Sequence, residues 1–221
     1  IDPHVAKATY SIPFGSIERH PYYEVSHTFA ETASAMSPGV IEKAKGDWPA
    51  LYWADYSDER SGLTIANRGM PGHQLKNGRI QVSILRSPTR MASAFVPEPG
   101  AWDNGRRIYE FAFLPHTGGA SPACVQFGEA FNHPLFVGIS GRSGNTTTPP
   151  SDSPCLAIDN PSVVMTALKQ AEDGDGWILR LHEACGQECA ATLSVNIPVQ
   201  SIQVVDADEK GSPMPHHGNL L

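Results

Sequence analysis

Trp48–Pro88 reads WPALYWADYSDERSGLTIANRGMPGHQLKNGRIQVSILRSP, and its last half decides the fold. Ile80, Val82 and Ile84 fall on one side of an extended chain, with Gln81 and Ser83 on the other. Period-two alternation of this kind predicts a half-buried antiparallel strand. Asn77-Gly78 separates that strand from His73–Lys76, and Asn-Gly is the strongest short hairpin signal because both residues accept positive φ. Upstream, Trp48–Tyr56 is dense in aromatics. As a strand it places Tyr52, Ala54 and Tyr56 on one face and Leu51, Trp53 and Asp55 on the other.

Working outward, the same alternation returns in Tyr109, Phe111 and Phe113, in Leu193, Val195 and Ile197, and in Trp177, Leu179 and Leu181 with Ile178, Arg180 and His182 opposite. Asp173-Gly174-Asp175-Gly176 separates Val163–Ala171 from Trp177–Glu183 as a second hairpin turn. Helical periodicity is hard to find. Ala30–Ala35 offers at most a turn, with Thr32 and Ser34 against it. Glycines and prolines, 20 and 19, are spread as punctuation between short strands. The expectation is an all-β fold, an antiparallel β-sandwich followed by a small second β-sandwich. Gly138–Pro154 (GISGRSGNTTTPPSDSP) is too polar and proline-rich to form a central strand. It predicts a large sandwich portion over 1–140, a linker over 141–154 and a small subdomain over 155–221.

Composition narrows the function classes. The chain has 221 residues, 40% of them hydrophobic, enough for a packed core. A net charge of −7 with no basic run argues against a nucleic-acid partner. No apolar stretch is long enough for a membrane span. The start, Ile1-Asp2-Pro3-His4, has neither Met nor a signal peptide, and predicts a piece of a longer polypeptide. No G-x-S-x-G elbow, Walker loop, dinucleotide fingerprint or H-E-x-x-H motif occurs. Of the carboxylates Asp55, Asp58, Glu59, Asp103, Glu110, Asp173 and Asp175, most sit where turns are expected, so no catalytic residue is predicted. Of the 4 cysteines, Cys185 and Cys189 are the only close pair. Zinc there would need two more ligands, and His182 is the sole candidate, so no metal site is predicted. The thiols instead suggest a reducing, cytoplasmic setting. Trp53 either stacks on a sugar ring or belongs to a core strand.

Five strings, in order, resemble the bacterial-type α-mannosidases of glycoside hydrolase family 38. Phe14–Glu24 (FGSIERHPYYE) is similar to that family's pyGsieRp segment, and Trp48–Pro88 to its W-x-D-x-S, GL-x-x-x-N-x-G and LLRSP strands. Arg107–Gly119 (RIYEFAFLPHTGG) resembles the LPH-x-G strand, Ala130–Leu135 (AFNHPL) the lN-x-Pl turn, and Asn160–Gly186 the final tA-l-K…lRlyE hairpin. His182 departs from the aromatic usual in that last motif, and Ala92–Trp102 matches in position but not in detail.

The resemblance implies a portion of the galactose-mutarotase-like supersandwich, with further strands before Ile1 and after Leu221. It implies a non-catalytic C-terminal β domain of a retaining α-mannosidase, whose partner is the catalytic α/β barrel of the parent chain. The parent's zinc ligands and catalytic Asp lie in that barrel, so no cofactor is expected in this segment. Arg86, ending the LLR-like strand, is a candidate contact for carbohydrate, the alternative being a strand-end salt bridge. Arg180 is expected to bridge to Glu183. A free-standing carbohydrate-binding module is the competing reading, with Trp48, Trp53 or Trp102 as its platform. Self-association is left open.

Overall fold

Positive φ at Asn77 (54°) and Gly78 (70°) closes the Asn-Gly turn as the sequence predicts, pairing β7 (Gly72–Lys76) with β8 (Arg79–Ser87). The computed structural model describes residues 4–11, 19–25, 28–31, 47–87, 105–137 and 154–209. The chain divides into two units, Ile1–Pro134 and Leu135–Leu221.

In the first unit, β1 (His4–Ser11), β8, β7 and β4 (Asp47–Pro49) form an antiparallel sheet in that order. A second antiparallel sheet runs β3 (Thr28–Glu31), β2 (His20–Val25), β5 (Trp53–Ser57), β6 (Gly62–Asn67) and β9 (Phe111–His116). One buried cluster joins them: Tyr23, Ala54, Tyr56 and Ile65 from the five-stranded sheet meet Leu75, Ile80 and Val82 from the other. The Leu75 backbone N–H donates to the Tyr23 hydroxyl at 3.2 Å, tying one sheet to the other. This is the antiparallel sandwich that the alternation demands.

The other face of the five-stranded sheet is also covered, because every residue of β5 is buried. Its cover is a helix, α1 (Pro122–Asn132), packed on β5, β6 and β9. The sequence reading has no helix here. The start signal is present, with Ser121 at the N-cap and Pro122 in the first turn. The inward face, however, is Cys124, Val125 and Gly128, too small to register as an apolar stripe. Small residues are what the site needs: a Cβ at Gly128 would strike the Trp53 indole, lying 2.8 Å from its Cγ. At the earlier helical candidate, Ala30 belongs to strand β3, and residues 32–35 lie outside the described ones.

In the second unit, β11 (Val163–Gln170) and β12 (Trp177–Glu183) form the predicted hairpin, with Gly174 and Gly176 at φ 81° and 102° in its turn. β10 (Leu156–Ile158) pairs with β13 (Leu193–Val195). Both ladders are antiparallel. The expected Arg180–Glu183 bridge does not form. Residues three apart on a strand point to opposite faces, and Arg180 pairs instead with Glu209 at 2.8 Å. Glu183 accepts the backbone N–H groups of Cys185 and Gln187.

Candidate functional site

Chemistry-bearing side chains converge where α1 lies on the five-stranded sheet. Asp55 on β5 pairs across the ladder with Thr64 on β6, and Ser57 pairs with Gly62. On the far side of β6, Gly62 pairs with His116 of β9. The missing side chain at Gly62 lets the His116 ring cross over β6: a Cβ there would lie 2.6 Å from His116 Nε2. The ring thereby reaches Asp55, with Nε2 2.6 Å from Oδ2. Cys124, in the first turn of α1, brings its Sγ to 3.9 Å from the same Nε2.

The carboxylate is well served. Ser57 Oγ donates to Asp55 Oδ1, and Thr64 Oγ1 donates to Oδ2 at 2.8 Å. Asp55 and Cys124 are fully buried, and the His116 side chain is 12% exposed. Asp55 above all, and then Cys124, raise the His116 pKa from 6.5 to about 10, so imidazolium and carboxylate form a buried ion pair at neutral pH. Burial pushes the Cys124 thiol up, but its contact with His116, helped by Thr64 and the Ser121 backbone, outweighs this and leaves it below its ordinary value.

Acid, imidazole and thiol resemble a hydrolytic triad in composition but not in geometry. A relay needs the acid on one ring nitrogen and the nucleophile on the other. Here both meet Nε2, while Nδ1 faces the Thr117 carbonyl at 3.4 Å. A fully buried thiol also offers no access to a substrate. Among the described residues, these three are the group whose ligand atoms lie close enough together to hold a metal, all within 4.8 Å of one another.

The residues singled out from the sequence lie elsewhere or in other roles. Trp53 is 1% exposed, packed edge-on against Phe29 at 5.3 Å between ring centroids and capped by Gly128, so it has no face for a sugar. Its core reading holds, because the unforeseen helix buries it. Arg86 lies in β8 opposite Val5, and its side chain is outside the described residues, as is all of Trp102. Trp48 is half-buried against the core. Cys185 and Cys189 are both free thiols and do not form a metal group with His182. Asp55, grouped in the sequence with turn carboxylates, is instead the buried anchor of the cluster. The signal that could have found it is the neutral-looking strand interior around a lone acid, W-A-D-Y-S.

A shallow cleft of about 380 Å³ also lies on the first unit, walled by Arg68, Met70, Leu85, Arg107 and Tyr109. No helix among the described residues is long and apolar enough to cross a membrane.

Comparison with known proteins gives these features a family. Residues 1–99 match the glycosyl hydrolases family 38 C-terminal domain, and residues 162–217 match the glycosyl hydrolases family 38 C-terminal beta sandwich domain. The chain is 27% identical over 215 residues to human Alpha-mannosidase 2C1, covering 96% of this chain and 18% of that protein. It is 27% identical over 180 residues to Alpha-mannosidase G of Dictyostelium discoideum, covering 81% of this chain and 14% of that protein. It thus spans about a fifth or less of the length of the curated relatives it matches. Among solved structures, an alpha-mannosidase from Enterococcus faecalis V583 superposes with a TM-score of 0.71 at 16% identity, covering 86% of this chain and 21% of that one. With two C-terminal models of one family seated in order along it, and α-mannosidase sequences aligned over most of its length, the chain belongs to glycosyl hydrolase family 38, as part of that family's C-terminal β region.

Proposed function

We propose that this chain is a non-catalytic support for the α/β barrel of an α-mannosidase, carried by another part of the same polypeptide. The carrying observation is the pair of C-terminal domain matches, together with relatives several times longer that are named as α-mannosidases. In this reading the barrel hydrolyses α-mannosides with retention, through two carboxylates and a zinc ion. That zinc belongs to barrel residues, and no step of the hydrolysis runs through the residues described above. The β region braces the barrel and closes one side of the sugar pocket. Arg86, at the end of β8, is the side chain we assign to that wall, because a guanidinium fork suits sugar hydroxyls or a carboxylate. The free thiols of Cys124, Cys155, Cys185 and Cys189 support a cytoplasmic location.

The test has two parts. The 221-residue chain alone is expected to leave an aryl α-mannoside intact, and hydrolysis by it would overturn the supporting role. In the parent gene, a barrel-encoding region is expected upstream of Ile1, and its absence would refute the assignment. One observation favours a second reading, a carbohydrate-binding module: Trp177 on β12 is 74% exposed. Saturable quenching of tryptophan fluorescence by mannose oligosaccharides, lost in Trp177→Ala, would support it. A flat titration leaves the supporting role.

A further inference from the structure

We propose that Asp55, His116 and Cys124 form a structural site for a zinc-class divalent cation that clamps α1 to strands β5 and β9. This departs from the expectation of a metal-free segment and is independent of the supporting role proposed above.

Four features carry it. The three side chains supply a carboxylate oxygen, an imidazole nitrogen and a thiolate sulfur, the donor types that zinc takes. Their ligand atoms converge within 4.8 Å of one another. In a four-coordinate zinc site, ligand atoms stand roughly 3.3–3.7 Å apart. The Sγ–Nε2 distance of 3.9 Å needs only slight contraction, and the 2.6 Å Nε2–Oδ2 hydrogen bond must open as the ion replaces the proton within it. The supporting shell is already in place. Once Nε2 gives up its proton, the Nδ1–H facing the Thr117 carbonyl leaves the Nε2 lone pair to the ion, and Ser57 and Thr64 orient the carboxylate. Charge also balances: one carboxylate and one thiolate neutralise a divalent ion, leaving no net charge in a buried place. Binding releases two protons, one from the Cys124 thiol and one from His116 Nε2. His116, 12% exposed, is the one of the three ligands that touches solvent, Asp55 and Cys124 being fully buried.

The probe is Co²⁺, added to the reduced, metal-stripped 221-residue chain. One equivalent is expected to produce a thiolate-to-cobalt charge-transfer band in the near ultraviolet together with tetrahedral d–d bands, both displaced by Zn²⁺. Cys124→Ser is expected to abolish them, and the Cys185→Ser/Cys189→Ser double variant to retain them. Absence of the charge-transfer band, or its loss in the double variant, overturns the proposal. X-ray absorption on the zinc-loaded unaltered chain keeps the test independent of how Cys124→Ser folds. One sulfur at about 2.3 Å beside lighter ligands is expected, and no sulfur or two would refute the site.

Discussion

Gly62→Ala tests whether the missing side chain at that position is what holds the buried ion pair together. Gly62 does not have a positive φ, so alanine should fit the backbone and gain about 0.5–1 kcal/mol from strand propensity alone. The added Cβ, however, would lie 2.6 Å from His116 Nε2 and press against the Ser57 Cβ. Ser57 is fully buried on β5, so the imidazole is the group that must move. Its departure leaves Asp55 buried without its cation. Breaking such a pair costs roughly 3–5 kcal/mol. The Ser57 and Thr64 hydroxyls still solvate the carboxylate, so a net loss of about 2–3 kcal/mol is expected.

The pH dependence gives a second reading of the same variant. A His116 pKa raised to about 10 means that the folded chain holds this proton more tightly than the unfolded chain. The resulting stabilisation is complete below the ordinary value of 6.5, declines from there to about pH 10, and is gone above it. Urea midpoints of the parent chain should therefore fall across that window, and those of Gly62→Ala should fall less. In an Asp55→Asn background, the cost of Gly62→Ala should shrink by about 1 kcal/mol or more, on the order of the coupling seen between contacting residues. A Gly62→Ala chain as stable as its parent, or a cost unchanged when Asp55→Asn is also present, would refute the account.

Gly128→Ala should destabilise despite a helix-propensity gain of about 1 kcal/mol, because overpacking against the immobile Trp53 costs about 1–3 kcal/mol; thermal melts showing a gain would count against the packing. Tyr23→Phe removes the acceptor for the Leu75 N–H and should cost about 1–2 kcal/mol by urea unfolding, with an unchanged midpoint as the contrary result. Burial raises the Glu24 pKa to about 7 despite the Tyr52 N–H it accepts, so its folded state favours the proton. Stability contributed there falls as pH rises from 4.5 to about 7, and Glu24→Gln should flatten that fall. At pH 8 the same variant should be more stable by about 1 kcal/mol, allowing for water at a half-buried site. A steeper fall in urea midpoint would contradict this sign.

Period-two alternation was enough to read most strands, because a half-buried antiparallel strand writes its two faces directly into the chain. Asn77-Gly78 set the register of one hairpin, since so few residue pairs accept positive φ in succession. The ordered strings of the two hairpins and the PH strand were enough to read the family. Alternation identifies a face but not what lies against it. The same pattern that put Trp53 and Asp55 together on one side of β5 was silent on whether that side met solvent, sugar or protein. Only the tertiary structure decided that it meets α1, a helix whose inward face of Cys124, Val125 and Gly128 is made of residues too small to announce it. The Asp55–His116 pair was likewise hidden, its members 61 residues apart and on strands that are not neighbours. They meet because Gly62, on the strand between them, has no side chain to keep them apart.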